Sequence, residues 1–147
     1  MSALTAAPGR TAAPATDRAG ATAALRRWLT IDALLTGANA LAYVVASGPI
    51  GRLLGLETAL VAGTGAFLLL FTAGLVLLAR SPRPPVRAVG AVIEANAAWA
   101  LLGLAAPLLL LEPSTAGAVW IPAQGLVVGA LAALQFGALR AMRRARG

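Results

Sequence analysis

Four polar residues with possible chemistry lie within an otherwise apolar stretch near the start of the chain. Residues 31–43, IDALLTGANALAY, contain Asp32, Thr36, Asn39 and Tyr43. At 100° per residue these four side chains fall on one side of a helix, as does Trp28. Exposure of a carboxylate to lipid costs about 3 kcal/mol or more of free energy. The seam that Asp32, Thr36, Asn39 and Tyr43 form along the helix is therefore predicted to face protein or trapped water.

The later apolar stretches supply the partners with which this seam could interact. They contain one acid, Glu94, and three amides, Asn96, Gln124 and Gln135. Counted from the nearest flanking arginines, Asp32, Glu94 and Gln135 lie at similar depths, which predicts that they meet in one layer. Asn39, Asn96 and Gln124 are then candidates for lining a path to that layer.

Two interpretations of this polar layer remain open at the sequence level. In the first, the side chains form a hydrogen-bond network that fixes the register of the helices. In the second, they form a proton, cation or small-ligand site.

Several kinds of chemistry are excluded by composition. The chain has no cysteine and no histidine, which removes thiol redox chemistry, bis-histidine haem ligation and almost every zinc site. Ser47, Ser81 and Ser114 lie in or beside predicted loops with no histidine to activate them. We therefore predict no catalytic, cofactor-binding or metal-binding residues, and a protein that is not an enzyme.

The elements that position these residues are predicted to be membrane-spanning helices. Of the 147 residues, 59% are hydrophobic and only 12% are charged, with a mean hydropathy of +0.82. Four apolar stretches are long enough to cross a hydrocarbon core of about 30 Å, and in lipid they must be helical. The predicted fold is an all-α four-helix transmembrane bundle, with spans at about residues 28–47, 58–79, 86–111 and 115–139.

The segments that flank these spans are predicted from their composition. Residues 1–24 read as a disordered cytoplasmic tail, residues 25–140 as the transmembrane domain and residues 141–147 as a basic cytoplasmic tail. The proline-rich connection at residues 81–85 predicts that the second and third spans are tight antiparallel neighbours. Residues 47–57 are predicted to lie on the outer membrane interface, and Ser114 or Thr115 to cap the last helix.

The charge pattern is explained better by membrane topology than by binding of a ligand. The net charge of +7 comes from 12 arginines and five acids. In a soluble protein this would suggest nucleic acid, but here the arginines border the apolar stretches, so no nucleic-acid partner is expected. Eleven arginines flank one side of the spans and only Arg52 the other, which places both termini in the cytoplasm of a multi-pass plasma-membrane protein.

Small residues recur at every fourth position along the last span. Gly125, Gly129, Ala133 and Gly137 form an extended small-xxx-small pattern, which lets two helix backbones approach closely in lipid. The pattern predicts a helix contact, either within the chain or with a second copy. Besides the lipid bilayer, the expected partners are therefore a homo-oligomer or another membrane protein.

A short internal sequence similarity suggests duplication of a helical hairpin. The segment ANALAY at residues 38–43 resembles ANAAWA at residues 95–100, although coincidence in an alanine-rich chain explains the likeness nearly as well.

Three longer segments resemble an uncharacterised family of small four-span integral membrane proteins from high-GC actinobacteria. They are IDALLTGANALAYVVASGPIGRLLGL, EANAAWALLGLAA and STAGAVWIPAQGLVVGALAALQFGALR. The resemblance implies a four-helix membrane bundle and no established activity. A looser likeness to DoxX-like proteins is one of architecture alone. Small multidrug exporters also have four spans and one embedded glutamate, but theirs is on the first helix, whereas Glu94 lies on the third.

These observations favour a non-enzymatic integral membrane protein with a structural or accessory role. The alternative is a small proton- or cation-coupled transporter, or a lipophile-binding membrane protein, that uses Asp32 and Glu94. No ligand is identified by the sequence.

The arginine distribution gives a direct test of topology. Reporter fusions at Pro84 and Gly147 are expected to be cytoplasmic, and a fusion at Arg52 external, because arginine is retained on the cytoplasmic side. The measurement is the activity of compartment-specific reporters in whole cells. Cytoplasmic activity at Arg52, or external activity at either other position, would contradict the assigned topology.

Overall fold

The computed structural model describes residues 15–146, and within them the chain is helical apart from short connections. The helices are α1 (Ala15–Val45), α2 (Ser47–Leu54), α3 (Thr58–Arg80), α4 (Val86–Leu109) and α5 (Thr115–Arg146). The predicted all-α, four-helix architecture is confirmed, with α1, α3, α4 and α5 as the long helices. These four are long and apolar enough to cross a membrane.

The surface of the bundle is apolar while parts of its interior are polar. Large side chains such as Leu70, Leu77 and Leu108 are more than 70% exposed, whereas Asp32 and Gln135 are fully buried. Soluble proteins rarely expose apolar surface continuously over their long helices. This inverted distribution is the one expected when the surrounding solvent is hydrocarbon.

The first and last helices are longer than predicted. α1 begins at Ala15, so residues 15–24, which we predicted to be disordered, are helical. α5 continues to Arg146, so the predicted basic tail is helical through that residue. The reason is packing as well as the high helix propensity of alanine, because Ala21 packs against the core cluster in which Met142 is buried. Residues 1–14 and Gly147 lie outside the described part of the chain.

The connection between α1 and α3 contains the short helix α2. Gly51 and Leu54 of α2 are buried, while Leu53 is 64% exposed. Gly55 is the C-cap that follows α2, and it has a φ of 71°. A Cβ at Gly55 would also lie only 2.4 Å from the backbone nitrogen of Ser114, so both conformation and space favour glycine here.

Ser114 caps α5 and joins it to α2. Its Oγ accepts a hydrogen bond from the Gly117 N–H at 3.2 Å, which is the N-cap interaction predicted for Ser114 or Thr115. The same Oγ donates to the carbonyl of Leu53 at 2.6 Å, and the Ser114 N–H donates to the carbonyl of Leu54 at 2.9 Å. The end of α2 is therefore fixed to the beginning of α5.

The long helices pack in the order α3, α1, α5, α4. α3 lies along α1, α1 along α5 and α5 along α4, whereas α3 and α4 meet at only a few positions. The predicted tight pairing of the second and third spans is therefore wrong. The two close pairs, α1 with α3 and α4 with α5, are the hairpins that the proposed duplication would produce, although the duplication itself stays a prediction.

Glycines at close helix contacts account for this pairing. A Cβ at Gly65 of α3 would lie 2.9 Å from the backbone nitrogen of Val44 in α1. Likewise, a Cβ at Gly125 of α5 would lie 3.0 Å from the carbonyl oxygen of Ala100 in α4. Close backbone approach increases van der Waals contact, which is a main source of helix association in lipid.

One end of the bundle is closed by a cluster to which all four long helices contribute. Its buried members are Leu25, Leu29, Ala33, Leu75, Ala79, Val89, Val92, Leu139 and Met142. At the same end, Arg26 Nε donates a hydrogen bond to the carbonyl of Ala79 at 2.7 Å, close to the last residue of α3. The connection between α3 and α4 lies here, so these two helices are held together at this end.

The small-residue stripe of α5 divides into two halves with different surroundings. Gly125 and Gly129 face α4, but Ala133 and Gly137 are exposed, and a Cβ at Gly137 would meet nothing within 4 Å. Within the chain, the second half of the stripe therefore makes no helix contact, and its predicted role in contact with a second copy stays a prediction. Steps of four residues advance by about 400°, so such a stripe turns by about 40° per step and leaves any one neighbour.

The two halves of this stripe predict different effects of the same substitution. Gly125→Leu is expected to destabilise the bundle by about 1–3 kcal/mol or more, because the side chain would collide with the backbone of α4. Gly137→Leu is the matched control and should change stability little. Thermal unfolding in detergent measures both, and equal melting temperatures for the two variants would contradict this account of the α4–α5 contact.

Candidate functional site

The carboxylate of Asp32 is the centre of a buried hydrogen-bond network. Its Oδ2 accepts hydrogen bonds from Asn96 Nδ2 at 2.6 Å and from Gln135 Nε2 at 2.7 Å. Its Oδ1 accepts one from Thr36 Oγ1 at 3.0 Å. Asn96 Nδ2 also lies 3.3 Å from Gln135 Oε1. The network thus joins α1 to α4 and α5.

The donors to Asp32 are uncharged, and the carboxylate is fully buried. An ionised carboxylate only accepts hydrogen bonds, so it determines which way each neighbouring amide is turned. The N–H groups of Asn96 and Gln135 must point to Asp32, and their carbonyl oxygens point elsewhere. Asp32 therefore sets the orientation of the surrounding polar groups.

A second polar layer lies nearer to the α2 end of the bundle. Asn39 Nδ2 donates to Gln124 Oε1 at 2.7 Å, and Gln124 Nε2 lies 2.8 Å from the hydroxyl oxygen of Tyr43. Trp120 Nε1 donates to the same hydroxyl oxygen at 3.1 Å. This layer joins α1 to α5 only.

The predicted seam on the first helix points into the bundle, as expected. Asp32 and Tyr43 are buried, and Thr36 and Asn39 are half-buried. Their partners come from α4 and α5, which are the third and fourth predicted spans. Seven residues of the predicted polar site take part in the two layers: Asp32, Thr36, Asn39, Tyr43, Asn96, Gln124 and Gln135. Trp120 is a further member that was not predicted.

Glu94 does not join this network, and its predicted place in the Asp32 layer is wrong. The residue is exposed on the outside of α4, while Asn96 occupies the position facing Asp32. The two residues are two positions apart and therefore about 200° apart around the helix, so only one of them can face the core. The two acids of the predicted spans consequently do not form a pair.

A cavity of about 270 Å³ lies among the four long helices, beside the polar layers. Its polar lining consists of Thr36, Asn39, Asn96 and Gln124, and its aromatic lining of Phe67, Phe71, Trp99 and Trp120. Aliphatic residues complete the wall; they are Leu35, Leu68, Ala95, Ala123, Val127, Val128 and Leu131. The cavity is therefore mainly apolar, with a few convergent polar groups, as is usual in sites for small molecules.

The cavity lies at the level of the bundle where α3 and α4 are separated. Phe67 of α3 and Trp99 of α4 stack across this gap with ring centroids 5.9 Å apart. Phe67 also stacks on Phe71 at 6.4 Å, and Phe67 is 53% exposed. These two phenylalanines were not predicted as site residues, although their spacing of four residues places them on one face of a helix.

A second, more open groove lies between α1, α2 and α5, with a volume of about 430 Å³. It shares Asn39, Trp120 and Ala123 with the cavity. The remaining lining, which includes Tyr43, Ile50 and Leu53, is mostly apolar. Trp120 and Asn39 therefore lie between the groove and the cavity.

Metal binding has no support in the described residues. Within residues 15–146, no group of three or more histidine, cysteine, aspartate or glutamate residues is positioned to hold a metal ion. The cavity lining combines amides, a hydroxyl and aromatic rings. Such a lining can bind an organic molecule by burying its surface and by forming hydrogen bonds with it.

Comparison with known proteins gives no relative from which a function could be transferred. The chain matches no protein-family model, no curated protein and no solved structure. The class that its architecture defines is an all-α bundle of four membrane-length helices with a polar interior, and its function has to be inferred from the site.

The Asp32 network predicts a contrast between two residues of α4. Asn96→Leu is expected to destabilise the protein by about 1–3 kcal/mol, because a buried carboxylate loses a donor and cannot recover it from water. Glu94→Gln, a change at an exposed position, should stay within about 0.5 kcal/mol of the wild type. Thermal unfolding in detergent compares them, and a larger loss in Glu94→Gln would refute this assignment of roles.

Proposed function

We propose that this chain is a non-enzymatic integral membrane protein that binds a small lipophilic molecule inside its helix bundle. The observation that carries the proposal is the cavity between α3 and α4, with its aromatic walls and its few amide groups. An open, mainly apolar recess of this kind can hold a lipophilic molecule by burying the surface of that molecule against its walls.

The size of the cavity indicates the size of the molecule. An apolar protein cavity of about 150 Å³ accommodates benzene, and sites for drug-sized ligands begin at about 300 Å³. The cavity here, at about 270 Å³, lies between these values. A molecule with two fused aromatic rings, or an aliphatic molecule of similar bulk, is the appropriate occupant.

The separation of α3 and α4 gives such a molecule a route from the bilayer. The exposed faces of both helices are apolar, so a lipophilic molecule dissolved in the membrane can reach the gap without crossing water. The stacked rings of Phe67 and Trp99 lie across the gap, and rotation of the half-exposed Phe67 would admit the molecule.

The position of the acids favours binding over proton- or cation-coupled transport. A proton relay in a membrane uses a chain of titrating groups that face a common interior. Asp32 is enclosed by three donors, whereas Glu94 is on the outer face of α4. The second predicted titrating group is therefore not available to the cavity.

The distribution of arginines supports a plasma-membrane protein with both termini cytoplasmic. Eight exposed arginines lie around the closed end of the bundle: Arg26, Arg27, Arg80, Arg83, Arg87, Arg140, Arg143 and Arg144. The connections at the other end carry Arg52, Glu57 and Glu112. Such a basic end suits acidic phospholipid headgroups on the cytoplasmic leaflet, and the bilayer is the partner we propose for it.

Filling the cavity should abolish binding without disturbing the polar network. Ala95 lines the cavity, whereas Ala98, which is exposed on the same helix as Ala95 is, does not. Ala95→Phe is expected to weaken binding of 2-naphthol by tenfold or more, because the new ring occupies the same space, whereas Ala98→Phe should bind as the wild type does. Equilibrium dialysis against protein in phosphatidylcholine nanodiscs, corrected with empty nanodiscs, measures the bound probe.

Either of two results would overturn the proposal. One is the absence of saturable binding above that of empty nanodiscs for 2-naphthol and for its apolar analogue 2-methylnaphthalene. The other is equal binding by Ala95→Phe and Ala98→Phe, which would place the bound molecule outside the cavity.

A further inference from the structure

We infer that the molecule held in the cavity carries a hydrogen-bond donor, such as a hydroxyl or an amine N–H, and that Asp32 imposes this selectivity as a positioning residue. The inference rests on the proposed binding function and deepens it. It follows from the direction in which the Asp32 carboxylate turns the polar groups beside the cavity.

Asn96 presents an acceptor to the cavity. Its Nδ2 lies within hydrogen-bond distance of Asp32 Oδ2 and Gln135 Oε1, so both of its N–H bonds have acceptors. Among residues 15–146, no group donates to its carbonyl oxygen Oδ1, yet every enclosed polar side-chain atom there has a partner. Oδ1 therefore keeps a small accessible area, although Asn96 as a whole is only 3% exposed, and the space that Asn96 lines is the cavity.

Thr36 adds a second acceptor for the same reason. Its hydroxyl proton is directed to Asp32 Oδ1 at 3.0 Å, and its side chain lines the cavity. With the proton committed to the carboxylate, the oxygen offers only its lone pairs to other groups. Both polar groups fixed by Asp32 thus accept hydrogen bonds and donate none to the cavity.

The apolar surroundings turn this arrangement into selectivity. A donor on the bound molecule satisfies Asn96 Oδ1, whereas a molecule without one removes that oxygen from solvent and leaves it unpaired, which is unfavourable. At Asn96, a molecule whose only polar atom is an acceptor would place two electronegative atoms against each other. The donors open to such a molecule are the second N–H groups of Asn39 and Gln124, in the other polar layer. Sites with fixed polar groups reject analogues that lack the matching group more strongly than apolar pockets do.

The first test compares probes that differ only in this group. In nanodiscs of phosphatidylcholine, with free concentrations corrected for partition into empty nanodiscs, the wild-type protein should bind 2-naphthol about tenfold more tightly than 2-methoxynaphthalene or 2-methylnaphthalene. The apolar probes are expected to bind measurably, since the cavity walls contact the same rings.

The second test removes the group that fixes the direction. In Asp32→Asn, the new amide both donates and accepts, so Asn96 is free to turn its N–H toward the cavity. The preference for 2-naphthol over 2-methoxynaphthalene should fall from about tenfold to about twofold or less. Glu94→Gln is the matched control, an acid-to-amide change on the exposed face, and should keep the wild-type preference.

The outcomes separate the inference from the proposed function. Equal binding of all three probes by the wild type would overturn donor selectivity and leave the cavity as a binding site. Absence of binding by all three would overturn both. An unchanged preference in folded Asp32→Asn would refute the role of Asp32. If Asp32→Asn does not fold, Thr36→Val decides, because loss of one acceptor should lower the preference by at least twofold and an unchanged preference would contradict the inference.

Discussion

The burial of one carboxylate is the constraint on which the rest of this structure depends. Asp32 is fully buried on a helix whose outer surface is apolar, so its hydrogen bonds have to come from neighbouring side chains and not from water. Thr36 supplies one from the same helix, and Asn96 and Gln135 supply the others from α4 and α5. The positions of three helices about their axes are thereby fixed together.

The space between α3 and α4 follows from the same arrangement. α1 contacts α3 and α5, and α5 contacts α4. The Asp32 carboxylate joins α4 to α1 through its hydrogen bond with Asn96. α3 contributes no donor to Asp32 and is held to α1 by the close contact at Gly65. Between the closed basic end and the Ser114 junction, α3 and α4 meet through side chains such as Phe67 and Trp99, and the cavity lies beside this contact.

Several features were predictable because they depend on local pattern alone. The four long helices follow from apolar runs of sufficient length, and the inward direction of the Asp32 seam follows from the cost of exposing a carboxylate to lipid. Ser114 was a recognisable N-cap by residue type and place. The extent of α1 was not predictable in the same way, since residues 15–24 have a weak apolar pattern, and the packing of Ala21 against the core cluster depends on the other helices.

The sequence by itself determined which residues share a face of each helix, and only the tertiary structure decided which face meets which neighbour. Helical periodicity placed Glu94 and Asn96 on opposite sides of α4, but it gave no preference between them. The choice was made by Asp32, whose carboxylate needs an amide donor and would be repelled by a second carboxylate. In the same way, the short loop between α3 and α4 brought their ends together, but pairing along their length required a close backbone contact, which the glycines provide elsewhere in the bundle.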